Sequence, residues 1–186
     1  MGKLYEEVTP EIATWIQQQH LFFVATAPLA IDGHVNCSPK GLDTLRFLGP
    51  RSVAYLDLTG SGAETIAHLR ENGRILFMFC ALAGAPKIVR LHGTGEIVTP
   101  ISPQWTELHS LFPDYPGART IIRAELTRIS DSCGYGVPKF EYVEDRDTLQ
   151  RWAEAKGSEG LPLYRKQKNS RSIDDLPGLD TEFADK

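Results

Sequence analysis

Residues 60 to 72, "GSGAETIAHLREN", follow the apolar run "VAYLDLT". A Gly-Ser-Gly turn leading from a strand into a helix leaves backbone N–H groups free, and such groups attract anions. The same stretch also reads as an ordinary helix start. Ser61 and Glu64 have the spacing of a capping box, Ile66 and Leu69 then face the core, His68 falls on the surface, and "NG" ends the helix. No Lys follows Gly62, so this is neither a Walker A loop nor a dinucleotide fingerprint. Four basic residues bear on the choice. Lys40 in "NCSPKG" and Arg46 in "TLRFLG" lie on adjacent expected strands just before the turn, and Lys87 and Arg90 lie in "PKIVRLHG" after it. Each alone reads as solvated surface; together with an N–H-rich turn they suit a phosphate monoester.

Other chemistry has less support. His34, His68, His92 and His109 are scattered, and no Ser/His/Asp or paired-carboxylate arrangement supports hydrolysis. Cys37, Cys80 and Cys133 form no CxxC and no zinc spacing, so no metal site is expected. Cys133, in "DSCGYGVP", reads as a small residue beside a turn. The net charge of −4 argues against a general nucleic-acid binder. No apolar leader or membrane-length run is present, and the sparse cysteines suit a reducing compartment, so the chain reads as soluble and cytoplasmic.

The elements that must position these residues follow from periodicity. "TPEIATWIQQQH" is a helix capped by Thr9 with Pro10 at its first position. "LFFVATA", the segment after "IDG", and the "TLRFLG"/"SVAYLDLT" hairpin are strands. "GRILFMFCAL" reads as a strand buried on both faces, and "KIVRLHGTGEIV" as one bent at Gly93 and Gly95. "SPQWTELHSLF" is a second capped helix, "ARTIIRAELTRISDS" a long strand, and "DRDTLQRWAEAKG" a helix closed by Gly157. The sum is a mainly β (α+β) domain over residues 1–156: six or seven antiparallel strands in a barrel with short peripheral helices. Residues 157–186 are polar with no clear period. They read as a tail or as an arm that orders against something, with Tyr164, Ile173, Leu176 and Leu179 as apolar handles.

The order of parts from residue 20 to 131, a hairpin, "YLDLTGSGAETIAHLRENGRILFMF" and "KIVRLHGTGEIV", resembles the FMN-binding split β-barrel family. More narrowly it resembles the pyridoxamine 5′-phosphate oxidase-related group, and "SCGYGVP" and "NSRSIDDLPGL" extend that likeness over most of the chain. The resemblance implies a homodimer with FMN in a groove at the subunit interface, acting as an oxidoreductase on a small molecule. It implies that Ser61, Gly62 and Thr65 line the phosphate turn and that Lys40 or Arg46 supplies a cation. Leu56 and Asp57 would offer main-chain contacts to the ring, and Asn36 and Ser38 would bond its edge. Lys87 and Arg90 would approach the ring or phosphate from the next strand, and the arm would cover part of the partner's groove. One departure stands out: the family's oxidases carry Arg-Lys after the turn serine, where this chain has Gly62 and Ala63. Their C-terminal Trp and Arg-x-His are not evident either, which counts against vitamin B6 chemistry more than against FMN. Rival readings on the same barrel are a deazaflavin-dependent reductase, a haem-binding split barrel and a non-enzymatic flavin-binding module.

Overall fold

The computed structural model describes residues 2–180. Eight strands form one antiparallel sheet: β1 (Leu4–Tyr5), β2 (Phe22–Thr26), β3 (Asn36–Lys40), β4 (Leu45–Gly49), β5 (Ser52–Leu58), β6 (Arg74–Cys80), β7 (Ile88–Val98) and β8 (Ala118–Ser132). Seven run in the order β3-β2-β6-β7-β8-β5-β4, and the two-residue β1 adds to β8. β3 and β4 are therefore the two free ends of an open, curled sheet, the form of a split barrel. Although successive in the chain, they do not pair. Side chains close the split instead, with Lys40 of β3 bonded to Asp57 of β5.

Alternation in the strands builds the core. Val24, Tyr55, Phe77, Phe79, Val89, Leu91, Ile122 and Ile129 meet inside the barrel, joined by Ile12 and Ile16 of α1 (Pro10–Gln17). The Thr9 hydroxyl accepts from the Ile12 N–H and Pro10 opens α1, as its sequence dictates. β6 was expected to be buried on both faces, yet Phe77 and Phe79 are buried while Met78 and Cys80 are half-buried. The doubly buried strand is β5: Val53 and Tyr55 face the barrel, while Ala54 and Leu56 lie under Leu108 and Phe112. A continuous apolar run cannot by itself say which strand a helix will cover.

Two helices differ from expectation in their caps. α2 (Glu64–Asn72) begins after Ala63 with no side-chain cap, so Ser61 and Glu64 form no capping box. It ends at Gly73, whose φ of 71° and close approach to Thr94 exclude a larger residue. α3 (Trp105–His109) is a single turn without a side-chain cap, because the Ser102 hydroxyl instead accepts from the Thr99 N–H. The bend in β7 falls between His92 and Gly93, where its register against β8 shifts.

Residues 148–180 pack on this same chain. α4 (Thr148–Lys168) is two helical pieces joined at Gly157, where φ 66° and ψ −175° break the helix. Trp152 and Tyr164 meet edge-to-face at 4.9 Å across that kink. Residues 169–180 then run back over the start of α2, burying Asn169 and Leu179.

Candidate functional site

Asp57, 1% exposed, sits near the end of β5, directly opposite Thr120 of β8. Its carboxylate accepts from Arg119 Nε at 2.7 Å, from Lys40 Nζ at 3.1 Å and from the Thr120 hydroxyl at 3.3 Å. Burial alone pushes this carboxyl up. Arg119 and then Lys40 outweigh it and hold Asp57 at about 2. One carboxylate thus serves two cations, and Arg119 Nη1 is buried without any hydrogen-bond partner. A second fully buried cation stands nearby. Arg165 of α4 donates from Nε to Thr59 Oγ1 and from Nη2 to the Ala118 carbonyl, each at 3.0 Å.

Lys40 and Arg119 border a cavity of about 170 Å³ lined also by Ser38, Leu58, Gly60, Gly62, Glu64 and Thr65. That volume takes several water molecules or one phosphate-sized anion. The wall opposite Arg119 is a hydrogen-bond chain. Ser38 donates to Asn36, and Asn36 Nδ2 donates to both Thr65 Oγ1 and Thr26 Oγ1. Thr26 in turn meets His68 Nδ1 at 2.9 Å. His68 is fully buried, not on the surface as expected, because the side of α2 that carries it packs toward β2. Burial pushes its pKa down, so it stays neutral, and its Nε2 has no partner. With no side-chain cap, the first-turn N–H groups of α2 are also left for a ligand or water.

A larger groove of about 1090 Å³ continues from this cavity, sharing Lys40, Leu58 and Gly60 with it. Its walls are mainly apolar: Trp15, Leu42, Leu56, Leu82, Phe140, Tyr142 and Val143 are among them. His20 and Tyr142 stack at 3.6 Å on one side. Phe140 and Val143 remain 61% and 84% exposed at the rim.

The structure brings Asn36, Ser38, Lys40, Asp57, Gly62 and Thr65 together around the cavity. Leu56 borders the groove, and Ser61 is exposed on the turn. Asp57 presents its side chain to two cations rather than only its main chain to a ligand. Lys87 lies with Nζ 5.1 Å from the Trp15 ring centre, and Arg90 donates to the Ser132 hydroxyl. Arg46 is not brought to the cluster. It is paired with Asp43, donates to the Leu111 carbonyl and lies over Phe112. Arg119 and Arg165 escaped the sequence reading. A signal for the first was available: in "GARTII" a cation interrupts the start of an otherwise apolar strand. Arg165 sits in "YRKQKN", where nothing distinguishes it from its solvated neighbours. Among the described residues, no group of three or more His, Cys, Asp or Glu is placed to hold a metal ion.

An open antiparallel barrel with a cationic cavity at a strand-to-helix turn, opening onto an apolar groove, defines a split-barrel protein with the means to hold an elongated, partly anionic ligand. The chain belongs to the pyridoxamine 5′-phosphate oxidase family: the model of that family, described as pyridoxamine 5′-phosphate oxidase, matches residues 8–133. The pyridoxamine 5′-phosphate oxidase family protein ustO of Aspergillus flavus is 40% identical over 203 residues, spanning all of this chain and 81% of the relative. HupZ from Group A Streptococcus shares the fold at a TM-score of 0.53 and 23% identity, over 65% of this chain and 90% of its own. A structure described as a putative pyridoxamine 5′-phosphate oxidase from Lactobacillus delbrueckii does so at 0.52 and 19%, over 68% and 98%. The family match ends at Cys133, so α4 and the segment after it lie outside what that model matches. No helix among the described residues is long and apolar enough to cross a membrane.

Proposed function

We propose that this protein binds FMN between two copies of the chain and acts as an oxidoreductase on a small molecule. The observation that carries this reading is Arg119 Nη1, buried without a partner beside a cavity that opens into an apolar groove. A buried guanidinium nitrogen left without an acceptor is costly, and a phosphate oxygen is the kind of acceptor Nη1 lacks. In this reading Lys40 and Arg119 hold the phosphate by charge, while Ser38, Thr65 and the Gly62 backbone hold it by hydrogen bonds. Leu56 and Leu58 form apolar wall beside it, which suits a flat ring and excludes water. Bound flavin would supply hydride and single-electron transfer, which no side chain here performs. Lys87, whose ammonium lies over Trp15 of the groove wall, or Arg90 would stabilise negative charge on the ring. Ser61 and Asn36 keep a supporting part, the first in the turn and the second by fixing Thr65.

The exposed Phe140 and Val143 at the groove's rim support a second subunit as its cover. The family membership supports the flavin. The test is the absorption spectrum of protein purified without added cofactor, with release and mass measurement of what is bound. Two flavin bands and the mass of FMN are expected, from a particle of twice the chain mass by light scattering. A single shorter-wavelength band with a deazaflavin mass, or a haem spectrum, would replace FMN with that cofactor. Turnover of NAD(P)H with common electron acceptors distinguishes an enzyme from a flavin carrier.

A further inference from the structure

The phosphate reading leaves Arg165 without an explanation. It is 5% exposed and has no ion-pair partner among the described residues. Its neighbour Arg119 repels it. A buried cation held this way needs a counter-charge. Around this point buried Arg119 and Arg165 and half-buried Lys40 stand against buried Asp57 and half-buried Glu64, an excess of one positive charge. A phosphomonoester brings a charge of about −1.5 to −2 at neutral pH. Glu64 accepts from the Ile173 N–H with Oε1 at 3.3 Å, while its Oε2 lies beside Gly62 at the cavity.

The chain that carries Arg165 goes on to hold the cavity's own turn. Asn169 Nδ2 donates to the Gly60 carbonyl at 2.9 Å, and the Leu179 N–H donates to the Asn169 carbonyl at 2.6 Å. Asp180 pairs with Arg70 of α2, and Asp174 pairs with His34 ahead of β3. Gly178 fits so closely against the Asn169 carbonyl and Ala63 that a Cβ there would stand 2.9 Å from the Ala63 Cβ. We propose that residues 165–180 are a clasp on the turn that borders the anion cavity, in which Arg165 is a positioning residue whose charge selects a phosphomonoester, so that the docked clasp and the bound phosphate stabilise each other. This deepens the FMN reading and rests on its assignment of the small cavity to phosphate. Coupling of this kind is reciprocal: whatever the docked segment adds to phosphate affinity, phosphate adds to docking.

The experiment uses full-length protein stripped of bound ligand and follows tryptic cleavage after Lys166, Lys168 and Arg171. FMN and inorganic phosphate should each slow cleavage, and riboflavin should not. In parallel, affinities for FMN and riboflavin are measured for Arg165→Gln, Arg165→Lys and Gly178→Val. Arg165→Gln should cut the preference for FMN over riboflavin about tenfold. Arg165→Lys should retain most of it, and Gly178→Val should lose it by undocking the segment. Equal protection by FMN and riboflavin, or an unchanged preference in Arg165→Gln, overturns the proposal. Should Arg165→Gln not fold, the protection pattern and Gly178→Val still decide. A protein that binds no flavin sinks the FMN reading, while protection or its absence with inorganic phosphate still settles the clasp.

Discussion

Lys40 and Arg46 lie six residues apart, each near a short strand's end, and the sequence offers no reason to treat them differently. The fold sends them to opposite fates. Lys40 reaches across the split in the sheet to a carboxylate that is 1% exposed, beside a cavity with a second, partly unpaired cation. Arg46 lies on the other free edge, closed into a local pair with Asp43. The comparison teaches that a cation becomes available to a ligand when it must share its counter-ion with a second cation, as Lys40 shares Asp57 with Arg119. One that meets its own counter-ion three residues away is already satisfied.

The comparison is broken most severely at Asp57. Asp57→Ala leaves Arg119 and Lys40 facing each other with no carboxylate. It should cost about 3–5 kcal/mol in urea unfolding. The same carboxylate sets an acid limit. Its folded pKa is depressed to about 2, so its stabilisation is complete above the ordinary carboxylate value and is lost as pH falls from about 4 toward 2. Wild-type stability should fall through that window, and Asp57→Asn should remove this part of the fall.

Lys40→Met tests the binding side. It should weaken FMN about tenfold to a hundredfold in titration, with riboflavin affected far less. Arg46→Ala is the matched control: about 0–1 kcal/mol in stability and no change in FMN affinity. A large loss of FMN affinity from Arg46→Ala would erase the distinction between the two residues.

The smallest effect concerns the exposed His34–Asp174 pair. Asp174 raises the His34 pKa. The pair is therefore fully present below the ordinary histidine value and is lost as pH rises through the elevated one. Tryptic cleavage in residues 165–180 should become faster over that rise, and His34→Asn should make it independent of pH there.

Much of the strand pattern was legible, because alternation in "FFVAT" and "IVRL" records one buried face directly. So was α1, since its Thr and Pro act within a few residues. The capping box at Ser61 failed because α2 starts after Ala63 with no side-chain cap and the Glu64 carboxylate accepts instead from the distant Ile173 N–H. His68 failed because its burial depends on what packs against the second side of α2. The candidate site was legible in part. Lys40, Thr65 and Gly62 could be placed near one another by the strand–turn–helix order, whereas Arg119 and Arg165 come from positions 54 to 125 residues away from them.

By itself, then, the sequence determined the local matters: which segments are strands, where α1 starts, and that the turn after β5 offers free donors. These depend on periodicity and near-neighbour geometry, which a single chain segment carries. Only the tertiary structure decided which cations share Asp57, which histidine is buried and that residues 165–180 return to the turn. Those outcomes depend on the charge and burial that distant segments impose on one another, and neither is a property of any stretch of sequence read alone.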